Sequence, residues 1–213
     1  MIRHRAILLI GPTGAGKTPL GDLLEARGLW GRRCRHFDFG RQLRAAAAAE
    51  TPPAHLTDAD VEAIRGALAG ALLADEQFPI AARILRVFLA GCDVGPDDWI
   101  VLNGLPRHIG QARDLAPLVD VRAVVELACS ADVVLRRVRT DAGGDRAGRP
   151  DDQAAAVRER FRTYAQRTAP LVDHYRRLGA RIHTIEVGPA TSADDILTAL
   201  ATGPPTTQGT ADA

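Results

Sequence analysis

Residues Ala6–Thr18 read AILLIGPTGAGKT, and this stretch decides the fold. Its first part, Ala6-Ile7-Leu8-Leu9-Ile10, is a continuous apolar run, the pattern of a strand buried on both faces of a parallel sheet. Its second part sets Gly11, Gly16, Lys17 and Thr18 in the spacing G-x-x-x-x-G-K-[S/T]. Leu20, Leu23 and Leu24 then recur at helical spacing until Gly28, a helix stop. Strand, glycine loop and helix together make an anion cradle. With Gly14, Ala15 and Gly16 at the turn, the backbone can bend around a polyphosphate and aim its N–H groups inward. The helix that follows adds the positive end of its dipole. Thr18 offers a hydroxyl to Mg²⁺, so the pattern predicts a bound nucleoside triphosphate and leaves the phosphoryl acceptor open.

Lys17 is the single lysine among 27 basic side chains; all the others are arginine. Arginine is a planar fork suited to bidentate oxyanion contacts, whereas lysine is a compact charge on a flexible stem that can follow a moving phosphoryl group. That difference is a physical reason for lysine at this address. Pro19 follows Thr18 and has no N–H; the first turn of a helix tolerates it, and one α-phosphate contact from that amide is expected to be missing.

With 213 residues the chain is expected to form one soluble domain burying about 70% of its unfolded surface. A net charge of +1 argues against nucleic-acid or membrane-surface binding. No apolar run approaches the roughly 20 residues of a membrane span, and the N-terminus enters a strand directly, so the cytoplasm is the expected location. Cys34, Cys92 and Cys129 are widely spaced and read as small core residues rather than a disulfide or zinc set. The six histidines (His4, His36, His55, His108, His174 and His183) include no pair at metal-ligand spacing.

Strand and helix signals alternate along the rest of the chain, which predicts an α/β fold with a wound parallel sheet. Further strands are expected at Arg35–Phe37, Trp99–Leu102, Val121–Leu127 and Arg181–Val187. Helices are expected at Gly40–Ala49, from an N-cap at Thr57 to about Leu73, from Asp75 with Pro79 in its first turn, across Asp151–Leu178, and at Asp194–Leu200. The domain spans residues 1–201, and 202–213 has nothing to bury, which predicts a disordered tail.

Phosphoryl transfer demands cations from several segments around one cleft. Arg44, Arg107, Arg137, Arg149 and Arg160 each lie near a predicted strand end, helix start or loop, where open α/β sheets place ligands.

The chain resembles the nucleoside monophosphate kinases, adenylate kinase above all, from about Ala6 to Tyr175. The likeness is carried by GPTGAGKT, by FGRQLR (Phe39–Arg44), by LLADE (Leu72–Glu76), by NGLPRHIGQA (Asn103–Ala112) and by the segment Arg149–Tyr175. It implies a three-layer α/β/α fold of the P-loop type, with a five-stranded parallel sheet, a helical monophosphate-binding insertion at about 39–73 and a short lid at about 140–149. It further implies that Lys17 follows the β- and γ-phosphates of ATP and that Arg137 stacks on the adenine. The acceptor phosphate falls to Arg44 and Arg107, its base to Gln111, with Phe39 and Gly104 lining that site. Arg149 and Arg160 close over the transferring group, and Asp151 and Asp152 match an acidic pair beside the hinge.

Three departures stand out. Asn103 occupies the position of a family aspartate that orients magnesium-bound water; an amide can still bind water but adds no charge. Phe39 replaces a threonine and Arg41 an aspartate, which bears on the acceptor base. The lid, TDAGGDRAG (Thr140–Gly148), is short and free of cysteine, with Arg139 or Arg146 as substitutes for a further family arginine.

The expected activity is in-line transfer from ATP·Mg²⁺ to a nucleoside monophosphate, AMP favoured, by a monomer without a covalent intermediate or general base. Two alternatives stay open: a small-molecule kinase acting on a hydroxyl acceptor, with Asp38 binding metal or taking the proton, and a catalytically decayed nucleotide-binding regulator.

Overall fold

The computed structural model describes residues 3–68, 77–144 and 154–202. Strands β1 (His4–Ile10), β2 (Cys34–Asp38), β3 (Trp99–Asn103), β4 (Val119–Ala128) and β5 (Arg181–Glu186) form one sheet in the order β2-β3-β1-β4-β5. All neighbours are parallel. These are the five strands read from the sequence, with ends moved by no more than two residues.

Successive side chains of a strand point to opposite faces, and β1 uses both. Ala6, Leu8 and Ile10 pack with Phe37, Ile100, Leu102 and Val124 beneath helices α2 (Phe39–Ala48), α3 (Asp58–Leu68), α4 (Phe78–Gly91), α5 (Ile109–Leu115) and α8 (Pro170–Arg177). Ile7 and Leu9 pack with Val101 and Val125 against Leu20 and Leu24 of α1 (Lys17–Arg27) and Ile196 and Leu200 of α9 (Ala193–Thr202). Helices therefore cover both faces of the sheet. Each fully buried leucine or isoleucine contributes about 1.5–3 kcal/mol. A third cluster, Val134, Leu135, Val138 and Val157, joins α6 (Ala131–Arg139) to α7 (Ala154–Thr163).

Local chemistry fixes the helix starts. Thr57 Oγ1 accepts from Asp60 N–H at 3.2 Å while Asp60 Oδ2 accepts from Thr57 N–H at 2.8 Å, a reciprocal cap for α3. α4 begins at Phe78 with Pro79 in its first turn, and the start expected at Asp75 lies outside the described residues. The single helix expected across Asp151–Leu178 is divided. Pro170 has no N–H to return to Gln166, and the preceding residues Tyr164–Thr168 adopt a π-turn closed by Ala169 N–H on the Tyr164 carbonyl at 2.9 Å. In β4 an irregularity opposite Ala6/Ile7 sets Arg122 outward, where it pairs with Asp120 at 2.7 Å.

Of the cysteines, Cys34 is a core residue, its thiol pushed up to about 12 by burial. Cys92 and Cys129 are only half-buried, a correction to the reading of all three as core. No described helix is long and apolar enough to cross a membrane. Leu72–Glu76, Arg146, Arg149, Asp151, Asp152 and the tail from 203 lie outside the described residues.

Candidate active site

The candidate site sits at the carboxyl ends of β1, β2 and β3. From β1 the chain crosses to β2 on one side, and from β3 it returns over β1 to β4 on the other. Connections that part in this way leave a crevice outside the carboxyl ends of the strands. Gly11 opens the loop at φ +156°, and a Cβ there would meet the Leu127 carbonyl oxygen at 2.9 Å, so this close approach to β4 requires glycine.

Gly16 is the N-cap of α1 with no side-chain cap on the helix amides. Lys17 Nζ donates to the Gly11 carbonyl at 2.6 Å and the Pro12 carbonyl at 2.8 Å, so the ammonium lies across the loop that precedes it. Arg137, 3% exposed, donates from Nε to the Gly14 carbonyl at 3.1 Å and from Nη1 to the carbonyls of Gly188 (2.9 Å) and Thr191 (2.8 Å). It spans the phosphate loop and the connection after β5. An added Cβ on Gly16 would lie 3.2 Å from Arg137 Nη2. Cys129 is close enough to feel both cations, which lower its thiol pKa, but burial is larger and raises it.

Beside the loop is a three-residue polar network. Thr18 Oγ1 donates to Asp38 Oδ2 at 2.7 Å. Asn103 Nδ2 donates to Asp38 Oδ2 and to Thr18 Oγ1, both at 3.0 Å. Asp38 Oδ1 accepts from Arg41 N–H at 2.8 Å, capping α2. Asp38 and Asn103 are register partners across β2 and β3. The donor set is a hydroxyl, a carboxylate and an amide, all hard, which suits magnesium carried in on nucleotide phosphates. Among the described residues no cluster of three or more His, Cys, Asp or Glu forms a metal cage.

The residues expected on the acceptor side lie where α2 leaves β2 and where the Gly104–Arg107 turn leaves β3. Gly104 is left-handed at φ +83°; a Cβ on it would lie 3.7 Å from Phe39 Cβ, 3.9 Å from Arg107 Nη2 and 4.0 Å from Gly40 N. A Cβ on Gly40 would lie 3.2 Å from Arg44 Nη1. Arg107 Nε donates to the Gly104 carbonyl at 3.0 Å, its N–H donates to Gln111 Oε1 at 2.8 Å, and its carbonyl accepts from Thr168 Oγ1 at 2.8 Å. Burial lowers the Arg107 guanidinium from the ordinary arginine range, with Asp38 acting in the opposite direction. Among the described residues neither Arg44 nor Arg107 is ion-paired with a carboxylate.

Phe39 belongs to the core, 3% exposed and stacked on Phe37 with centroids 6.1 Å apart, so it forms the floor of this region. Gln111 is also buried and its carbonyl is committed to the Arg107 backbone. Arg160 lies on α7, where Nε donates to the Ala156 carbonyl at 3.3 Å. Its expected companion Arg149 lies outside the described residues. Arg41 pairs with Asp22 at 2.8 Å, and Asp22 also holds His36 Nδ1 at 2.9 Å.

The residue whose role sequence reasoning underweighted is Asp38. It was weighed only for a hydroxyl acceptor, yet it is the carboxylate at the centre of the Thr18–Asn103 network. The available signal was an aspartate at the end of a predicted strand, opposite another strand end carrying Asn103.

No family model matches the chain. It is 32% identical over 185 residues to the adenylate kinase of Prochlorococcus marinus (strain MIT 9303), covering 84% of this chain and 88% of that protein. It is 32% identical over 182 residues to the adenylate kinase of Synechococcus sp. (strain WH7803), covering 83% and 87%. With the adenylate kinase of Xanthomonas campestris pv. campestris (strain B100) it shares 30% identity over 196 residues, 90% of this chain and 94% of that one. Its structure is similar to a gluconokinase from Sinorhizobium meliloti 1021, with a TM-score of 0.54 over 95% and 93% of the two chains; at 20% identity this likeness concerns the fold alone. The phosphate loop, the crevice beside it and relatives aligned over most of their length lead to one conclusion: the chain belongs to the adenylate kinase family.

Proposed function

We propose that this chain transfers the γ-phosphoryl group of ATP, bound with magnesium, to a nucleoside monophosphate, AMP favoured, giving two nucleoside diphosphates. It does so as a cytoplasmic monomer. The observation that supports this reading most is the nearness of the buried Arg107 guanidinium to Asp38 of the Thr18–Asp38–Asn103 network. An acceptor that is itself a phosphate needs cations to overcome charge repulsion and needs no base. Arg44 and Arg107 supply that charge, and at Arg107 burial weakens solvent screening. Lys17 exchanges its carbonyl partners at residues 11 and 12 for donor phosphates, while the uncapped amides of α1 face them. Thr18 and the Asp38–Asn103 pair would hold magnesium, which would supply positive charge to the phosphates. Arg137 stacks on the ATP adenine, Gln111 touches the acceptor base with Phe39 near it, and Arg149 and Arg160 act from the lid and its helix.

The test is coupled ADP release with ATP, Mg²⁺ and each of AMP, CMP, UMP, GMP and dTMP. Turnover on at least one monophosphate is expected, with AMP preferred. No turnover on any of them overturns the proposal.

The position of Asp38 favours one second reading, a kinase for a hydroxyl acceptor with that carboxylate as base. It requires turnover on a hydroxyl compound, none on a monophosphate, and an acidic limb of the pH–rate profile that Asp38→Asn removes.

A further inference from the structure

We infer that Asp38 supplies the negative charge that orients the metal ligand of this site, and that the charge is carried at the end of β2 instead of at the end of β3, where Asn103 stands. The inference rests on the proposed binding of magnesium nucleotide at Gly11–Thr18 and identifies which side chain directs the metal.

A threonine hydroxyl has one proton to donate and two lone pairs. In this structure the proton of Thr18 goes to Asp38 Oδ2 at 2.7 Å and one lone pair accepts from Asn103 Nδ2 at 3.0 Å. One lone pair remains, fixed in direction by the other two bonds. Asp38 thereby acts as a positioning residue for the Thr18 ligand and places a full negative charge beside it.

Helix capping does not explain the charge. Capping uses Asp38 Oδ1 and the Arg41 N–H, and an asparagine would cap equally well. The carboxylate is 5% exposed, its described hydrogen-bond donors are the Thr18 hydroxyl, the Asn103 amide and the Arg41 backbone, and among the described residues it forms no ion pair. The guanidinium groups of Arg107 and Arg41 act on this carboxylate through space, but its hydrogen bonds all come from neutral donors, and a buried carboxylate so placed is stabilised further by a cation at the site. A divalent ion on the remaining Thr18 lone pair supplies it.

Asp38 and Asn103 face each other in the β2/β3 register, so exchanging them moves the charge by one strand and reverses the hydrogen bond between them. The experiment compares wild type, Asp38→Asn and the double exchange Asp38→Asn with Asn103→Asp. Mn²⁺ is the probe: free ion is counted by electron paramagnetic resonance in the presence of a non-hydrolysable ATP analogue, and analogue binding without metal is measured alongside. Asp38→Asn is expected to weaken Mn²⁺ binding about 10–100-fold. Its melting temperature and metal-free analogue binding stay close to wild type. The double exchange is expected to recover most of the Mn²⁺ affinity.

Unchanged Mn²⁺ affinity in Asp38→Asn, with analogue binding retained, overturns the inference alone. A double exchange that melts like wild type and binds Mn²⁺ no better than Asp38→Asn also overturns it. A wild-type protein that binds no analogue overturns the proposed function as well. Should Asp38→Asn fail to fold, Asp38→Ser, which keeps a capping oxygen without the charge, takes its place under the same criteria.

Discussion

The two ends of the sheet treat their charges in opposite ways. At the amino ends of the strands, two arginines are paired with aspartates: Arg33 holds Asp98 through Nη2 at 2.8 Å and Nε at 3.2 Å, and Arg32 pairs with Asp97. At the carboxyl ends, Arg44 and Arg107 are held without a carboxylate partner among the described residues. Lys17 and Arg137 there donate to backbone carbonyls. A fold that pairs its charges at one end has no difficulty doing so at the other. The difference fits the proposed function, because an ion pair formed in advance would have to break before a phosphate could bind.

The contrast is broken most severely at Lys17. Lys17→Met is expected to lower turnover by about 10²–10³-fold or more, with the protein still folded, as steady-state assays and thermal melts would show. Loss of folding in place of loss of turnover would mean that the ammonium serves the loop carbonyls rather than phosphate.

Arg107→Ala should reduce kcat/KM for the acceptor about 100-fold and leave KM for ATP nearly unchanged. Thermal stability should hold, because the guanidinium is desolvated in the folded state and its removal relieves that cost. A large fall in melting temperature would place Arg107 with the structural arginines.

Arg33→Ala is the matching change at the opposite end. Turnover should be unaffected, and the melting temperature should fall by no more than about 2–4 °C. A catalytic defect here would erase the distinction between the two ends.

The smallest effect is a pH dependence. The Gly95 N–H, first, and the Arg33 guanidinium hold Asp98 below the usual carboxylate range, against the raising effect of its burial. A depressed folded value means stability present above the unfolded value near 4 and lost as pH falls through the folded one. The gap in stability between wild type and Arg33→Ala should therefore be widest at neutral pH and narrow below about pH 4, read from urea melts at a series of pH values.

Much of the fold was legible because its signals are local. Ala6–Ile10 and Trp99–Leu102 are apolar runs that only a sheet covered on both faces would bury, and both are central strands. Thr57 with Asp60 announced the start of α3. Pro170 is as visible in the sequence, and its missing N–H divides the helix expected across Asp151–Leu178. The half-buried state of Cys92 and Cys129 was not legible, since exposure depends on which helix covers a side chain, a matter of packing between distant segments.

By itself the sequence determined the strand, loop and helix of Ala6–Arg27 and so the seat of a polyphosphate, since apolar runs, glycine spacing and a following helix act within a few residues of one another. Only the tertiary structure decided that Asp38 meets Asn103 and Thr18, that Arg137 reaches the Gly188–Thr191 segment, and that Arg107 comes near Asp38. Those meetings follow from the order and register of β2, β3 and β1, which long-range pairing sets and no local pattern encodes.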